Sequence, residues 1–475
     1  MKPRPTFPAR VWAIASALLL AGCATTGIDQ TLADANRATL GFTGGALELS
    51  RTDPQRQGRE RLAAELLARP LAMDDAVRLA LANSPSLQAL LAQGWAEVAA
   101  ADQAGRIANP VFTFERMRLP NELELGRLLS IGLLDLLTLP RRQAVARNQA
   151  AQAQLQLAAS VVEHVTQVRQ AWVRAVASRQ LLAYADQVQL AAQASAELAR
   201  RMQQAGNFTR LQRARQHAFY ADAAAQLAAA QHTATAAREE LVRQLGLSDS
   251  QALALQLPDR LPDLPAQPLS PPEVSTAAKE QRLDVRLARL QLDGAGQAQG
   301  LDLLRSLVDV EAGVRHDTIF DNASGERSNR NGYELSVRLP LFDWGSAQRE
   351  AMDAQTLAAA NRYESVVRSA ASQLRTSYSA YRTSHDLARH YRDEVVPLRK
   401  LMAEENLLRY NGMLIGVFEL LAETREQIGS VQAAISAQQQ FWLADAALAS
   451  AVIGRPLAMD TAAAPAARST PGGGH

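Results

Sequence analysis

Apolar positions along this chain follow two different periods, and the switches between them outline the architecture. From Asp74 to Ala82 and from Leu87 to Gly105 they recur at helical spacing, with Asn83-Ser84-Pro85-Ser86 as a pause. At Asn109-Pro110 the period drops to two: Val111 to Arg116 alternates, and Leu128 to Leu134 forms a second apolar run across a polar loop at Pro120 to Glu124. Pro140 closes that hairpin, and Arg141 to Ala205 then runs without glycine or proline, enough for a helix of roughly 100 Å. Val161, Val165, Val168, Trp172, Ala175 and Leu182 fall on 4-3 spacing along it, which predicts a coiled-coil-like seam. Gly206 interrupts the pattern, and a partner helix from about Thr209 to Leu245 ends at Gly246.

The same order then returns. A helical stretch restarts at Pro272-Glu273-Val274, and Val308 to Arg315 and Tyr333 to Leu339 alternate apolar with charged residues across a polar connection from Ile319 to Asn331. A helix is predicted from Ser346 to about Val396, with Pro397 as a kink and continuation to Tyr410. Arg409-Tyr410-Asn411-Gly412 breaks it, and Val417 to Val452 is the return. Gly206 and Gly412 are taken as equivalent tips, because glycine reverses a helix through positive φ at little cost. The expected divisions are residues 70–246 and 273–455 as two repeats and 247–272, with six prolines, as a stiff extended linker. A loosely structured lead is expected at 23–69, with a short helix from Glu60 to Ala68, and a disordered tail at 456–475.

Composition narrows the function. Hydrophobic residues make up 47% but aromatics only 5%, which suits long helices packed closely rather than a thick aromatic core. Lys2, Arg4 and Arg10 precede an apolar run from Val11 to Leu20, too short to span a bilayer, and Leu20-Ala21-Gly22-Cys23 follows. This resembles a bacterial lipobox, so residues 1–22 are expected to be a signal peptide and Cys23 the lipidated amino terminus. Ala24, not aspartate, after the cysteine resembles lipoproteins sent to the outer membrane. Loss of the three basic residues turns a net charge of +2 into −1, so no basic surplus points to nucleic acid. With one cysteine, no disulfide can form within the chain.

The second hairpin carries Asp309, Glu311, Arg315, Glu334 and Arg338 on one face and apolar residues on the other. That pattern fits either an amphipathic hairpin on a soluble core or a barrel segment between lipid and a wet lumen. Two hairpins at equivalent repeat positions and the lipobox favour the barrel, which four strands cannot close without other copies. The histidines show no ligand spacing except His385 and His390, a poor pair at five apart, and no nucleophile–base set or phosphate loop occurs. No enzyme activity, cofactor or metal site is expected.

The order helix, strand hairpin, long helix, tip and return helix, given twice, resembles the outer-membrane efflux proteins typified by TolC. The opening Ala76-Val77-Arg78-Leu79-Ala80-Leu81-Ala82-Asn83-Ser84-Pro85, the strand exit Leu339-Pro340-Leu341-Phe342-Asp343-Trp344-Gly345 and the tip Arg409-Tyr410-Asn411-Gly412 carry the likeness, which covers roughly residues 70–455. The resemblance implies a mostly α chain with a small β part. Three copies would build an α-helical barrel from long hairpins, and each would give four strands to a shared transmembrane β-barrel. It implies a homotrimer that meets outer-membrane lipid, a periplasmic adaptor and an inner-membrane pump, and that exports drugs or heavy metals. A periplasmic coiled-coil adaptor or scaffold lipoprotein is the alternative.

The resemblance also implies site residues. Arg200, Arg201, Gly206, Arg409, Tyr410 and Gly412 would face the adaptor. Acidic residues past the second tip would ring the periplasmic entrance, and Glu419 and Glu423 are the candidates. Matching them to the family pattern takes one extra residue after Gly412. Without it Phe418 and Leu421 take those positions and make an apolar constriction. Gly206 is followed instead by Arg210, Arg213 and Arg215, so the first tip cannot supply an acidic ring.

Overall fold

A computed structural model describes residues 27–307, 309–321, 324–339 and 341–456. The expected signal peptide (1–22) and Cys23, Val308, residues 322–323, Pro340 and the tail from 457 onward lie outside the described residues.

The expected helices and strands occur in the predicted order, with α1 (Ile28–Thr43) added in front and α2 (Asp53–Leu67) starting well before the short helix expected from Glu60. The lead is therefore helical, not loose. Its pattern was hidden because threonines complete the buried stripe: Ile28, Thr31, Ala35, Thr39 and Phe42 are all buried at spacings of three and four. Pro54 lies in the first turn of α2, where its missing N–H costs nothing. Helices α3 (Met73–Asn83) and α4 (Pro85–Ala104) meet at Ser84, whose extended backbone (ψ 117°) breaks the helix before Pro85.

The strands are β1 (Val111–Arg118), β2 (Glu122–Gly132), β3 (Val310–Asp321) and β4 (Arg327–Val337), in one antiparallel sheet of order β1-β2-β3-β4. Both hairpins are tighter than expected. The first turns at 119–121, and residues 133 and 134 belong to the short helix α5 (Leu133–Leu137). In the second, polar residues assigned to the loop pair across the strands, as in His316–Asn331 and Thr318–Asn329. A polar strand with both ends anchored remains a strand, which alternation of apolar residues alone does not reveal.

After α5 come α6 (Leu139–Gln204), α7 (Arg210–Leu245) and α8 (Asp249–Ala254). The second half gives α9 (Pro271–Gln281), α10 (Leu283–Leu307), α11 (Ser346–His390), a π-helical turn at Tyr391–Val395, α12 (Val396–Asn411) and α13 (Val417–Ile453). The π turn is the form the Pro397 irregularity takes: the Val396 N–H reaches back five residues to the Tyr391 carbonyl, which widens the helix ahead of the proline ring.

The described residues fall into two compact units that each draw on both halves of the chain. One holds 27–38, 90–158 and 284–368, the other 39–89, 159–283 and 369–456. The first contains the whole sheet. Within it α4 and α6 approach closely at Gly94, where a Cβ would come within 2.8 Å of Leu157 Cδ1. In the second unit the predicted seam of α6 is the core: Val161, Val165, Val168, Trp172 and Ala175 are fully buried, with Leu182 half-buried. Trp172 Nε1 donates to the Leu71 carbonyl at 2.8 Å. A second cluster joins Tyr381, Phe441 and Leu448 to Leu264 and Val274. The proline-rich segment is thus not a free spacer. Leu255, Leu257, Leu261 and Leu264 are buried, and the Pro262 carbonyl accepts from Gln438 Nε2 (2.7 Å) and Trp442 Nε1 (3.0 Å). Proline fixes the extended backbone, and the leucines between prolines anchor it.

Candidate functional site

Three places carry the chemistry: two helical tips and the sheet. At the first tip α6 ends in a turn closed by Gly206 N–H to the Gln203 carbonyl (3.0 Å) and Asn207 N–H to the Met202 carbonyl (2.9 Å). Gly206 takes φ +79°. At the second, α12 ends with Met413 N–H to Tyr410 (2.9 Å) and Leu414 N–H to Arg409 (2.8 Å), the same pair of bonds. Here the left-handed residue is Met413 at φ +58°, and Gly412 has an ordinary φ of −79°. The reading of Gly412 as the reversing glycine is therefore corrected. The tips are equivalent at Gly206 and Met413, 207 residues apart, and so are the helix starts that follow, capped at Thr209 and Gly416. Thr209 Oγ1 accepts from Gln212 N, and Gln212 Oε1 from Thr209 N. Gly416 has no side chain to do this.

In the matched register the side chains differ sharply. Arg200, Arg201, Gly206 and Asn207 of the first tip correspond to Leu407, Leu408, Met413 and Leu414 of the second. Arg200 and Arg201 both hold Glu197 one turn back, at 2.7 and 2.8 Å, and their hydrogen bonds draw its carboxyl down to about 2. The four residues of the second tip are exposed and apolar, Met413 at 93% and Leu414 at 74%. Arg409 and Tyr410 lie beside them, also exposed. Behind the tips Val188, Ala192 and Ala223 form a small core with Phe219 and Ile428, and the Arg425 guanidinium covers the Phe219 ring at 4.3 Å.

Past the second tip Glu419 is exposed on the first turn of α13, where the helix dipole favours an anion. Glu423 is different: its carboxylate is mostly covered and faces Arg399 of α12 at 3.4 Å, with Glu426 on the same guanidinium at 3.3 Å. The two candidate acids are thus not alike, and Glu197 and Arg399 are partners that no motif announced. Of the histidines, His385 is buried with Nε2 3.2 Å from the Pro265 carbonyl, whereas His390 faces Glu394 at 3.1 Å. Among the described residues no three His, Cys, Asp or Glu side chains converge as a metal site.

The sheet is two-faced. Phe112, Leu129, Val314 and Tyr333 form one row across all four strands, flanked by Ile131, Ala312 and Leu335, and on the helix side this face is apolar and largely exposed; toward the turns it also carries arginines, His316 and Asn331. The other face holds every strand carboxylate: Glu115, Glu122, Glu124, Glu311, Asp317, Asp321 and Glu334. Arg315 sits among them, 2.9 Å from Glu115, 3.0 Å from Asp317 and 3.9 Å from Glu334. Gly126 leaves the space for this, since a Cβ there would meet Asp317 Oδ1 at 3.2 Å and Arg315 Nη2 at 3.3 Å. Alternation marks such faces in sequence and already pairs Arg315 with Asp317 two residues on, but Glu115 joins Arg315 only through strand register. The outer edges of β1 and β4 have no strand partner among the described residues. No described helix is long and apolar enough to cross a membrane.

No protein-family profile and no curated protein matches the sequence. Solved structures do. A membrane protein from Pseudomonas aeruginosa aligns over 86% of this chain and 97% of its own, with a TM-score of 0.68 and 20% identity. The outer membrane protein VceC from Vibrio cholerae aligns over 80% and 96% (TM-score 0.67, 16% identity), and the Campylobacter jejuni CmeC outer membrane channel over 86% and 90% (0.67, 14%). The chain has the fold of TolC-like outer-membrane channels, mostly helical with a small four-stranded sheet.

Proposed function

We propose that this protein is the outer-membrane channel of a tripartite efflux system, passing drugs or heavy metals from an inner-membrane pump and a periplasmic adaptor to the exterior. The observation that carries the reading is the sheet. One face is apolar and exposed, the other is acidic, and both edges are open, as expected of staves that face lipid outward and water inward. Three copies pairing edge to edge give a twelve-stranded wall, and Cys23 adds a lipid anchor after removal of residues 1–22. The protein is not an enzyme: it supplies a wet path, and the pump supplies the energy. The alternative of a periplasmic scaffold leaves the apolar sheet face without an occupant.

In this reading the tips are the adaptor-docking end, and Glu419 lines the entrance. Counting from Met413 supports that register, because Glu419 then matches Gln212 of the first tip, both three residues into their helices. Three copies of Glu419 around one axis would attract cations and repel one another. Glu423, held by Arg399, contributes less free charge.

The test is extraction from outer membranes in detergent and reconstitution in planar bilayers. A heat-sensitive trimer with β-signal, ion conductance, and a cation preference reduced by Glu419→Gln is the expected result. A water-soluble, all-helical protein overturns the channel, and an unchanged preference overturns the gate alone.

A further inference from the structure

Of the six strand arginines, Arg315 and Arg330 share the acidic face, but the other four lie on the opposite one, where a water-filled lumen does not need them. Arg116, Arg118, Arg127 and Arg327 all project from the apolar face, which carries no carboxylate. None of the four makes an ion pair with another described residue; Arg327 only covers the Phe320 ring at 5.6 Å. Free arginines are unfavourable on a surface meant for hydrocarbon, so their depth is decisive.

That depth follows from register. Both hairpin turns lie at one end of the sheet, because Glu122 pairs with Asp321, and the helices attach at the other. At the helix end this face is apolar along β4, from Val337 through Leu335 to Tyr333 (94% exposed), with Leu339 exposed just beyond the strand. Toward the turns this apolar band ends at the row of Phe112 and Tyr333, aromatic residues of the kind found at a membrane interface. Arg127 lies one row beyond Tyr333, Arg116 in the next row, and Arg118 with Arg327 in the row after. At about 3.3 Å per residue and a tilt near 40°, these rows are roughly 5, 10 and 15 Å past the band, in the headgroup layer and just outside it.

We propose that Arg116, Arg118, Arg127 and Arg327 form a binding surface for the phosphate groups of the glycolipid in the outer leaflet. Guanidinium is the side chain suited to phosphate, with paired N–H donors in a fixed fork. The acidic residues, which would repel the same phosphates, are confined to the opposite face. The sorting gives the barrel a phosphate-seeking collar outside and an acidic wall inside. This inference rests on the outer-membrane reading above.

The test titrates the full-length protein, in dodecyl maltoside, with bisphosphorylated lipid A, and counts bound lipid by native mass spectrometry. Replacing all four arginines by glutamine is expected to weaken binding at least about tenfold, consistent with charges each adding an increment to anionic-lipid attraction. The fourfold lysine variant keeps binding within about threefold, since the charge remains. Arg330→Gln, on the opposite face, leaves it unchanged. Equal binding by wild type and the glutamine variant overturns the inference, as does inorganic phosphate that competes as well as lipid A. Density-gradient fractionation of membranes separates the two readings. A protein found in the outer membrane whose lipid A binding ignores the arginines defeats this inference alone; a protein found elsewhere defeats both.

Discussion

The two helical tips share one backbone and almost no surface. Both close with the same pair of backbone hydrogen bonds around a left-handed residue, yet the first spends that position on Gly206 and the second on Met413. A side chain in the left-handed region is strained by about 1–2 kcal/mol. At matched positions the first tip carries arginines tied to Glu197, and the second carries leucines open to solvent. Conformational cost is tolerated at the second tip together with exposed apolar surface. Both are disadvantages for an isolated chain and assets for a surface that is to be covered. The difference teaches that the repeats diverged where partners are expected and stayed alike where the backbone must turn.

The largest effect expected from this contrast concerns binding. If the tips dock an adaptor as proposed, Leu408→Asp with Leu414→Asp should lower the affinity of the purified protein for it by about tenfold or more, as for loss of buried apolar anchors. Arg200→Ala with Arg201→Ala should change it less than about threefold, as for exposed charges. Surface plasmon resonance with immobilised adaptor gives both values, and the reverse ranking would break the comparison.

Behind the tips the two hairpins meet through charge. Arg169 on α6 and Asp445 on α13 belong to one unit, and burial lifts the Asp445 carboxyl to about 6 against the pull of Arg169. Burial likewise lowers the Arg169 guanidinium, with Asp74 and Asp445 raising it. Because the folded carboxyl holds its proton where the unfolded one has lost it, the contribution of Asp445 to stability is greatest below about pH 4. It falls by up to roughly 3 kcal/mol as the pH rises to about 6 and is flat beyond. Urea midpoints between pH 4 and 7 should show that slope for wild type and lose it in Asp445→Asn.

Smaller effects sharpen the backbone half of the comparison. Gly206→Ala should cost about 1 kcal/mol, with no steric clash to add to it, whereas Met413→Gly should gain a similar amount. Equal signs for the two would show that the tips are not conformational equivalents. The caps should follow: Thr209→Ala loses about 1 kcal/mol, and Gly416→Thr changes stability by only a few tenths. Thermal melts of the purified protein resolve the first pair, and denaturant titrations the second.

Much of this molecule was readable from residue spacing, because helices of this length are specified locally. Breaker-free runs, prolines and apolar stripes define α6, α7, α11 and α13 to within a few residues, and alternation finds the cores of all four strands. Reading failed where the signal was not apolar. Threonines complete the stripe of α1, and polar pairs such as Thr318–Asn329 extend β3 and β4 beyond their apolar cores. It failed again at Gly412, where the obvious residue stands one place before the position that needs it. Which residue occupies the left-handed turn depends on where the helix stops, and the bonds to Arg409 and Tyr410 decide that.

The sequence by itself therefore determined the elements, their doubled order and the two-faced character of the strands, since each depends on neighbours within a turn or a pleat. Only the tertiary structure decided what the charges do. Arg315 meets Glu115 two hundred positions away, Glu423 is drawn to Arg399, and Glu419 is left free. Electrostatic partners are fixed by distances of a few ångströms between elements, and those distances appear only when strand register and helix packing are set.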